Sequence, residues 1–159
     1  MKWDYEFDVV VVGSGNGALT SAICSHDGGA KTLVIEKSNQ YGGTSATSGG
    51  GVWIPNNRYA KAENVDDSDQ DARDYINSVS PEGMIKDELI ETYISEGPKM
   101  IDYLHENSQV KYRNLSHYPD YFPDNPGGKE GNRSMEPEPI NGTILGTDLG
   151  KLREQHPQT

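Results

Sequence analysis

Three small residues and one acid in this chain have the types and spacing to hold a dinucleotide. Gly13, Gly15 and Ala18 follow the G-x-G-x-x-G/A pattern directly after the apolar run 9–12. A glycine at 13 permits a tight turn out of a strand. Gly15 has no Cβ, so the backbone can approach a pyrophosphate, and Ala18 is small enough for close helix–sheet packing. Asn16-Gly17 keeps that small character. A helix over 17–27 would aim free N–H groups and a positive dipole end at the phosphates. A second apolar run, 30–35, ends in Glu36, with Lys37 beside it. A carboxylate there can accept both hydroxyl protons of a ribose and repels a 2′-phosphate, which disfavours NADP.

The elements that must position these residues are two strands and a helix. The β-branched run 9–12 reads as a strand buried on both faces, as an inner strand of a parallel sheet should be. The fold class is therefore α/β: a Rossmann-like domain, with a parallel sheet and flanking helices.

The segment after Glu36 separates two cofactors. An NAD-binding domain would continue into another βα unit. This chain gives Gly42, Gly43, Thr44, Ser45, Ala46, Thr47, Ser48, Gly49, Gly50 and Gly51, and then VWIPNN. The tract is too flexible and polar for a core element. Its amides and hydroxyls suit a pyrophosphate and the edge of a flavin ring, so FAD is expected. A plain linker would not need the apolar VWIP that docks its end.

Composition bounds the rest. The chain has 159 residues, a net charge of −11, 33% hydrophobic residues and a mean hydropathy of −0.78. The acidic balance argues against nucleic acid and anionic membrane as partners, since both need a basic face. No apolar run reaches membrane-span length. The start, MKWDYEFD, is acidic and leads straight into the first strand, unlike a secretory signal. A single cysteine, Cys24, excludes an intrachain disulfide and suits a reducing, cytoplasmic compartment. It reads as a small core residue of the first helix. Apolar strands beyond 9–12 and 31–35 are few, so a Rossmann-type sheet within this chain is expected to be incomplete.

Residues 58–71 read as a polar surface loop. Asp67, Asp69 and Asp71 resemble the start of a calcium loop, but Ala72 and Ser78 stand where the glycine and closing glutamate belong. Helices are expected over 69–78 and 85–96. Gly97-Pro98 should break or kink the second, with an apolar stripe continuing to about 106. Ile85, Leu89, Tyr93 and Ile94, then Met100, Ile101 and Leu104, read as core packing. A short strand is expected at 110–112. Tyr118, Tyr121 and Phe122 lie on a loop stiffened by proline and glycine. Aromatic residues there either pack on the core or line an apolar ligand site. Residues 129–159 are the least informative, and the histidines show no metal-ligand spacing.

The segments VVVVGSGNGA, VIEKSNQYGGTSATSGGGVWIPNN and HYPDYFPDNPGG resemble the N-terminal part of the 3-ketosteroid Δ1-dehydrogenases. These belong to the wider flavoprotein family of fumarate reductases and succinate dehydrogenases. The likeness covers most of residues 7–130, with WIPNN and the Tyr-Pro-Asp-Tyr segment pointing to the ketosteroid branch. It implies a protein of roughly three times this length, with 1–115 forming part of the FAD-binding domain and 116–159 leading towards a substrate domain.

The resemblance also implies residue roles. Gly13, Gly15, Gly17 and Ala18 would hold the pyrophosphate turn. Glu36 would bind the adenosine ribose, with Lys37 beside it. Gly43, Thr44, Ser45, Ser48, Gly49 and Gly50 would line the pyrophosphate and flavin. Some members of the wider family attach FAD through a histidine in this tract. None lies between His26 and His105, so FAD should be non-covalent. Tyr118 would form an aromatic wall against a small apolar substrate, a steroid ketone. Tyr121 would assist removal of the proton α to the ketone, while a hydride leaves the β carbon for the flavin. The main base would lie beyond residue 159, and an electron acceptor is required. The alternatives are a fumarate-reductase-like enzyme acting on a small enoate, and a non-catalytic FAD-binding module.

Overall fold

The computed structural model describes residues 3–156. They fall into two compact units: residues 3–50 together with 141–156, and residues 51–140.

The first unit is the βαβ turn. Strand β1 (Val9–Val12) pairs in parallel with β2 (Thr32–Ile35), Val9 opposite Thr32 and Val12 opposite Ile35. Helix α1 (Asn16–Asp27) connects them and packs on both strands. β-Branched residues favour the pleated strands, and Gly13, at φ +97°, makes the turn that L side chains disfavour. Its amide closes the turn onto Ile35 O at 2.7 Å.

Burial of β1 on both faces is not found. Val9 and Val11 are half-buried, whereas Val12 is 78% exposed and Val10 53%. Among the described residues α1 covers one face of this two-stranded sheet and β1 has one partner strand. Cys24 is likewise exposed rather than core. A two-stranded sheet is too narrow to cover more than a strip of the helix, and only Ala22 of α1 is buried. After β2 the chain makes a single-turn 3-10 helix, Ser45–Thr47. The segment 141–156 returns to it: Tyr41 donates to Lys151 O and accepts from Arg153 N, each at 2.9 Å.

The second unit builds its own core. Strands β3 (Val52–Trp53), β4 (Tyr112–Asn114) and β5 (Ser134–Pro137) form an antiparallel sheet in the order β3-β5-β4. The short strand thus lies two residues later than the periodicity suggested. Residues 58–71 are not all loop, because Arg58–Ala62 form helix α2. Asn57 explains why: its buried side chain caps the amides of Tyr59 and Ala60 and donates to Ile54 O and Asn132 O. The WIPNN segment is therefore a structural knot. Helix α3 (Asp69–Val79) is capped by Ser68.

Helix α4 (Asp87–Asn107) runs through Pro98 without a break. Pro98 removes one helical donor, but the turns on either side are anchored. Ile90 and Ile94 pack with Ala72, and Ile101 packs with Ile54 and Met135. Gly97 completes this face, where a Cβ would come within 3.3 Å of Ile54 Cδ1. The buried face of α4 is thus 90/94/97/101. Leu89, Tyr93 and Met100 expose a neighbouring stripe, and Ile85, which lies before the helix, is exposed as well, contrary to the sequence reading. Two adjacent apolar stripes carry the same periodicity, and the close approach allowed by Gly97 selects between them. Among the described residues no helix is long and apolar enough to cross a membrane.

Candidate functional site

In the βαβ unit, Val12, Gly13, Ser14, Gly15, Ile35, Glu36, Lys37 and Gly43 line a cavity of about 490 Å³. The two glycine segments meet backbone to backbone: a Cβ on Gly43, at φ +57°, would lie 3.3 Å from Gly15 Cα. A floor free of side chains is what a pyrophosphate needs to reach main-chain amides. Gly17 and Ala18 lie in the first turn of α1, where amides have no preceding helical acceptor. One such amide is already taken, since Asn16 N donates to Ser45 Oγ at 3.0 Å. Ser45 therefore serves as a remote cap for a helix that lacks a capping side chain of its own.

Glu36 sits where β2 ends. Its Oε2 accepts from Ser14 Oγ at 2.5 Å and its Oε1 from Ser38 N at 3.0 Å. The Ser14 hydroxyl, followed by the Ser38 amide, holds the carboxyl below its ordinary range, with Arg153 contributing. An ionised carboxylate has about four lone-pair sites, so acceptor capacity remains for a ribose. The residues present fit an adenine dinucleotide lacking a 2′-phosphate.

The rest of the tract is not part of this cavity's lining. Thr44 precedes the 3-10 turn and accepts from Thr47 through its carbonyl. Ser48 and Gly49 are exposed, and Ser48 Oγ accepts from the amide of Gly50, itself at φ +74°.

The second unit holds the aromatic loop. Tyr118, Tyr121 and Phe122 do not pack into a core. With Trp53, Tyr75, Ile76, Val79, Pro119, Asp120 and Ser134 they wall an apolar cavity of about 330 Å³. Tyr121 is 82% exposed. Behind this wall lies an ionic clamp that the sequence did not signal. Arg133, only 1% exposed, donates to Asp67 at 2.7 Å and to Asp120 at 2.9 Å. Asp120 also accepts from Trp53 Nε1 at 2.6 Å and Lys129 N at 3.0 Å. The Arg133 guanidinium lies 5.5 Å from the Trp53 ring centre and 5.7 Å from that of Tyr75. Phe122 N donates to Tyr75 Oη at 3.3 Å. The loop is thus held through its buried acid, Asp120, with the aromatic rings left facing outward. Asp67, Asp69 and Asp71 are engaged by Arg133, Asn56 and Lys129 respectively.

A glycine turn, a helix N-terminus and an acid ending the next strand define a dinucleotide-binding α/β protein. A family model described as "FAD binding domain" matches residues 8–158, and the chain belongs to that family. It is 42% identical over 147 residues to a 3-oxosteroid 1-dehydrogenase of Mycobacterium tuberculosis, covering 92% of this chain and 26% of that protein. To a 4-oxocyclohexanecarboxylate 2-dehydrogenase of Sinomonas cyclohexanicum it is 39% identical, over 90% of this chain and 25% of the relative. The crystal structure of 3-ketosteroid delta1-dehydrogenase from Sterolibacterium denitrificans, in complex with 1,4-androstadiene-3,17-dione, superposes with a TM-score of 0.88 at 40% identity. That match covers 94% of this chain and 26% of that one. The chain spans about a quarter of the length of these relatives.

Proposed function

We propose that this chain is the N-terminal part of the FAD-binding domain of an enzyme that dehydrogenates a neutral ketosteroid at its 1,2 position. Residues 1–115 belong to the cofactor domain, and 116–159 lead towards a substrate domain. The observation that carries the substrate reading is the apolar aromatic cavity with Tyr118 and Tyr121 in its wall. A 4-oxocyclohexanecarboxylate would bring a negative charge to that wall. The lining offers one acid, Asp120, and no basic residue. The cation behind it, Arg133, is already engaged by two aspartates. A neutral polycyclic ketone suits these walls better.

When bound, FAD supplies the acceptor for the hydride leaving the β carbon. The chain's own residues bind and orient. Gly13, Gly15, Gly17 and Ala18 present amides to the pyrophosphate, and Glu36 accepts from the ribose, with Lys37 beside it. Gly43, Thr44, Ser45, Ser48, Gly49 and Gly50 supply backbone and hydroxyl groups along the cofactor. Non-covalent binding follows from the lack of a histidine in this tract. Tyr118 shapes the wall. Tyr121 assists removal of the α proton. A phenol is a weak base at its ordinary pKa near 10, so it works with a polarised ketone and with a main base further along the chain. One cysteine and an acidic surface suit a cytoplasmic enzyme passing electrons to a separate acceptor.

The test is a visible spectrum of the purified full-length protein before and after acid precipitation, followed by assay on steroid ketones. Flavin released to the supernatant, and 1,2-dehydrogenation lowered about 100-fold or more in kcat by Tyr121→Phe, are the expected results. A soluble, folded protein that fails to bind added FAD defeats the cofactor reading. Turnover of 4-oxocyclohexanecarboxylate but not of steroids defeats the substrate reading.

A further inference from the structure

The residue between the two glycines of the turn carries a side chain that the nucleotide-binding pattern does not specify. Ser14 is 3% exposed. Its Oγ donates to Glu36 Oε2 at 2.5 Å and accepts from Gly42 N at 3.0 Å. One hydroxyl thus joins the phosphate turn, the end of β2 and the start of the glycine tract, segments separated by 22 and 28 residues. Each bond strengthens the other, because a hydroxyl that accepts from an amide is a better donor to a carboxylate.

We infer that Ser14 is a positioning residue for the cofactor's adenosine ribose, acting through Glu36. The inference rests on the reading of Glu36 as the ribose acceptor. Glu36 is half-exposed at a strand end, and a glutamate there would sample several rotamers unless tethered. Ser14 on one oxygen and the Ser38 amide on the other fix the carboxylate beside the cavity that both residues line. Ordering it before the ligand arrives removes an entropy loss from binding. The groups facing Glu36 are the Ser14 hydroxyl, the amides of Lys37 and Ser38, and the Arg153 charge. Of these, only Ser14 comes from the phosphate turn, so it alone couples ribose and pyrophosphate recognition.

The experiment measures FAD dissociation constants on the full-length protein stripped of flavin, by quenching of flavin fluorescence. Ser14→Ala, Glu36→Ala and the double variant are compared with the wild type. Each single change weakens FAD about tenfold, and the double variant is no weaker than Glu36→Ala. Glu36 also loses its hydroxyl donor in Ser14→Ala. FAD binding by that variant therefore declines at a higher pH than wild-type binding as the solution is acidified.

An equal loss from Ser14→Ala with and without Glu36 means that the hydroxyl acts only through the Gly42 amide, and overturns the inference. Unchanged affinity in Ser14→Ala overturns it as well. A silent Glu36→Ala instead removes the ribose reading itself. Should Ser14→Ala fail to fold, Ser14→Cys fills the same space with a weaker donor. It gives a smaller loss in the same direction, and wild-type affinity in it overturns the inference.

Discussion

The βαβ unit and the unit of residues 51–140 reach order by different means. The first buries little: among its described residues Ala22 is the one buried hydrophobic side chain, and the outer face of β1 is open. Its order comes from backbone geometry and a few polar ties, with Ser14 at the centre of one and Ser45 of another. The second closes two apolar clusters of its own, around Ile101 and Ile94, and seals an arginine and two aspartates beneath its aromatic wall. In the βαβ unit, glycines, Ser14 and Glu36 leave an open cavity of about 490 Å³. The other unit carries the packing, and its reactive-looking rings are held from behind rather than buried.

The sharpest way to break this contrast is Arg133→Met. It strands Asp67 and Asp120, whose side chains are 3% and 2% exposed, without their cation. Breaking a buried pair from one side costs about 3–5 kcal/mol. Denaturant unfolding followed by tryptophan fluorescence should show that loss, since Trp53 sits on the clamp. A loss below about 1 kcal/mol, the range of surface ion pairs, would mean that the apolar clusters alone hold residues 51–140.

The same contrast governs what could be read from residue order. The turn at Gly13 and Gly15, the helix start at Ala18 and the strand end at Glu36 were legible because a strand–turn–helix unit is a local device with fixed spacing. Ser14 was not, because its partners are brought to it only by strand pairing. Arg133 lies among asparagines and glycines with nothing nearby to mark it, and its aspartates are 66 and 13 residues away. On α4 the periodicity mixed two stripes: Ile94 and Ile101 are buried as expected, whereas Leu89, Tyr93 and Met100 are exposed, since two apolar stripes run side by side and Gly97 decides between them. The aromatic loop was legible as costly to expose. Its outward aim became visible only once Asp120 was seen to be tied to Trp53 and Arg133.

Ile101→Ala tests the apolar half of the comparison. Ile101 is fully buried against Ile54 and Met135, and a truncation there costs about 2–5 kcal/mol through lost transfer energy and the remaining cavity. The measurement is the midpoint of urea unfolding at unchanged slope. A changed slope would show that residues 51–140 no longer unfold as one unit.

Acid should weaken the unit of residues 51–140 by a smaller amount. Asp71 is held below its ordinary range by the Ser68 hydroxyl and then by Lys129, and Glu91 by Arg73. Their folded pKa values lie below the unfolded ones. The stability they contribute is therefore full at neutral pH and is lost as pH falls through about 4 towards the folded values. These groups are solvent-accessible, so salt screens the effect. Thermal unfolding at falling pH, repeated with Arg73→Gln, should show a shallower acid loss in the variant. An identical slope would assign the acid sensitivity elsewhere.

The smallest effect is expected on the open sheet face. Val12 is 78% exposed, so Val12→Thr on this chain removes little buried apolar area. Surface changes of this kind stay within about 0.5 kcal/mol. The apolar face of Val10, Val12 and Ile35 should instead make itself felt in solubility, since exposed contiguous apolar surface drives association. Threonine at 12 keeps the β-branched shape that the strand favours while adding a hydroxyl to that face. Sedimentation of the two chains at equal concentration should therefore show less aggregate in the variant, with an unfolding midpoint that barely moves. A stability loss of more than about 1 kcal/mol, beyond the surface range, would mean that Val12 is buried in solution. The βαβ unit would then owe its order to a packed face after all, and the contrast between the two units would narrow to the ionic clamp alone.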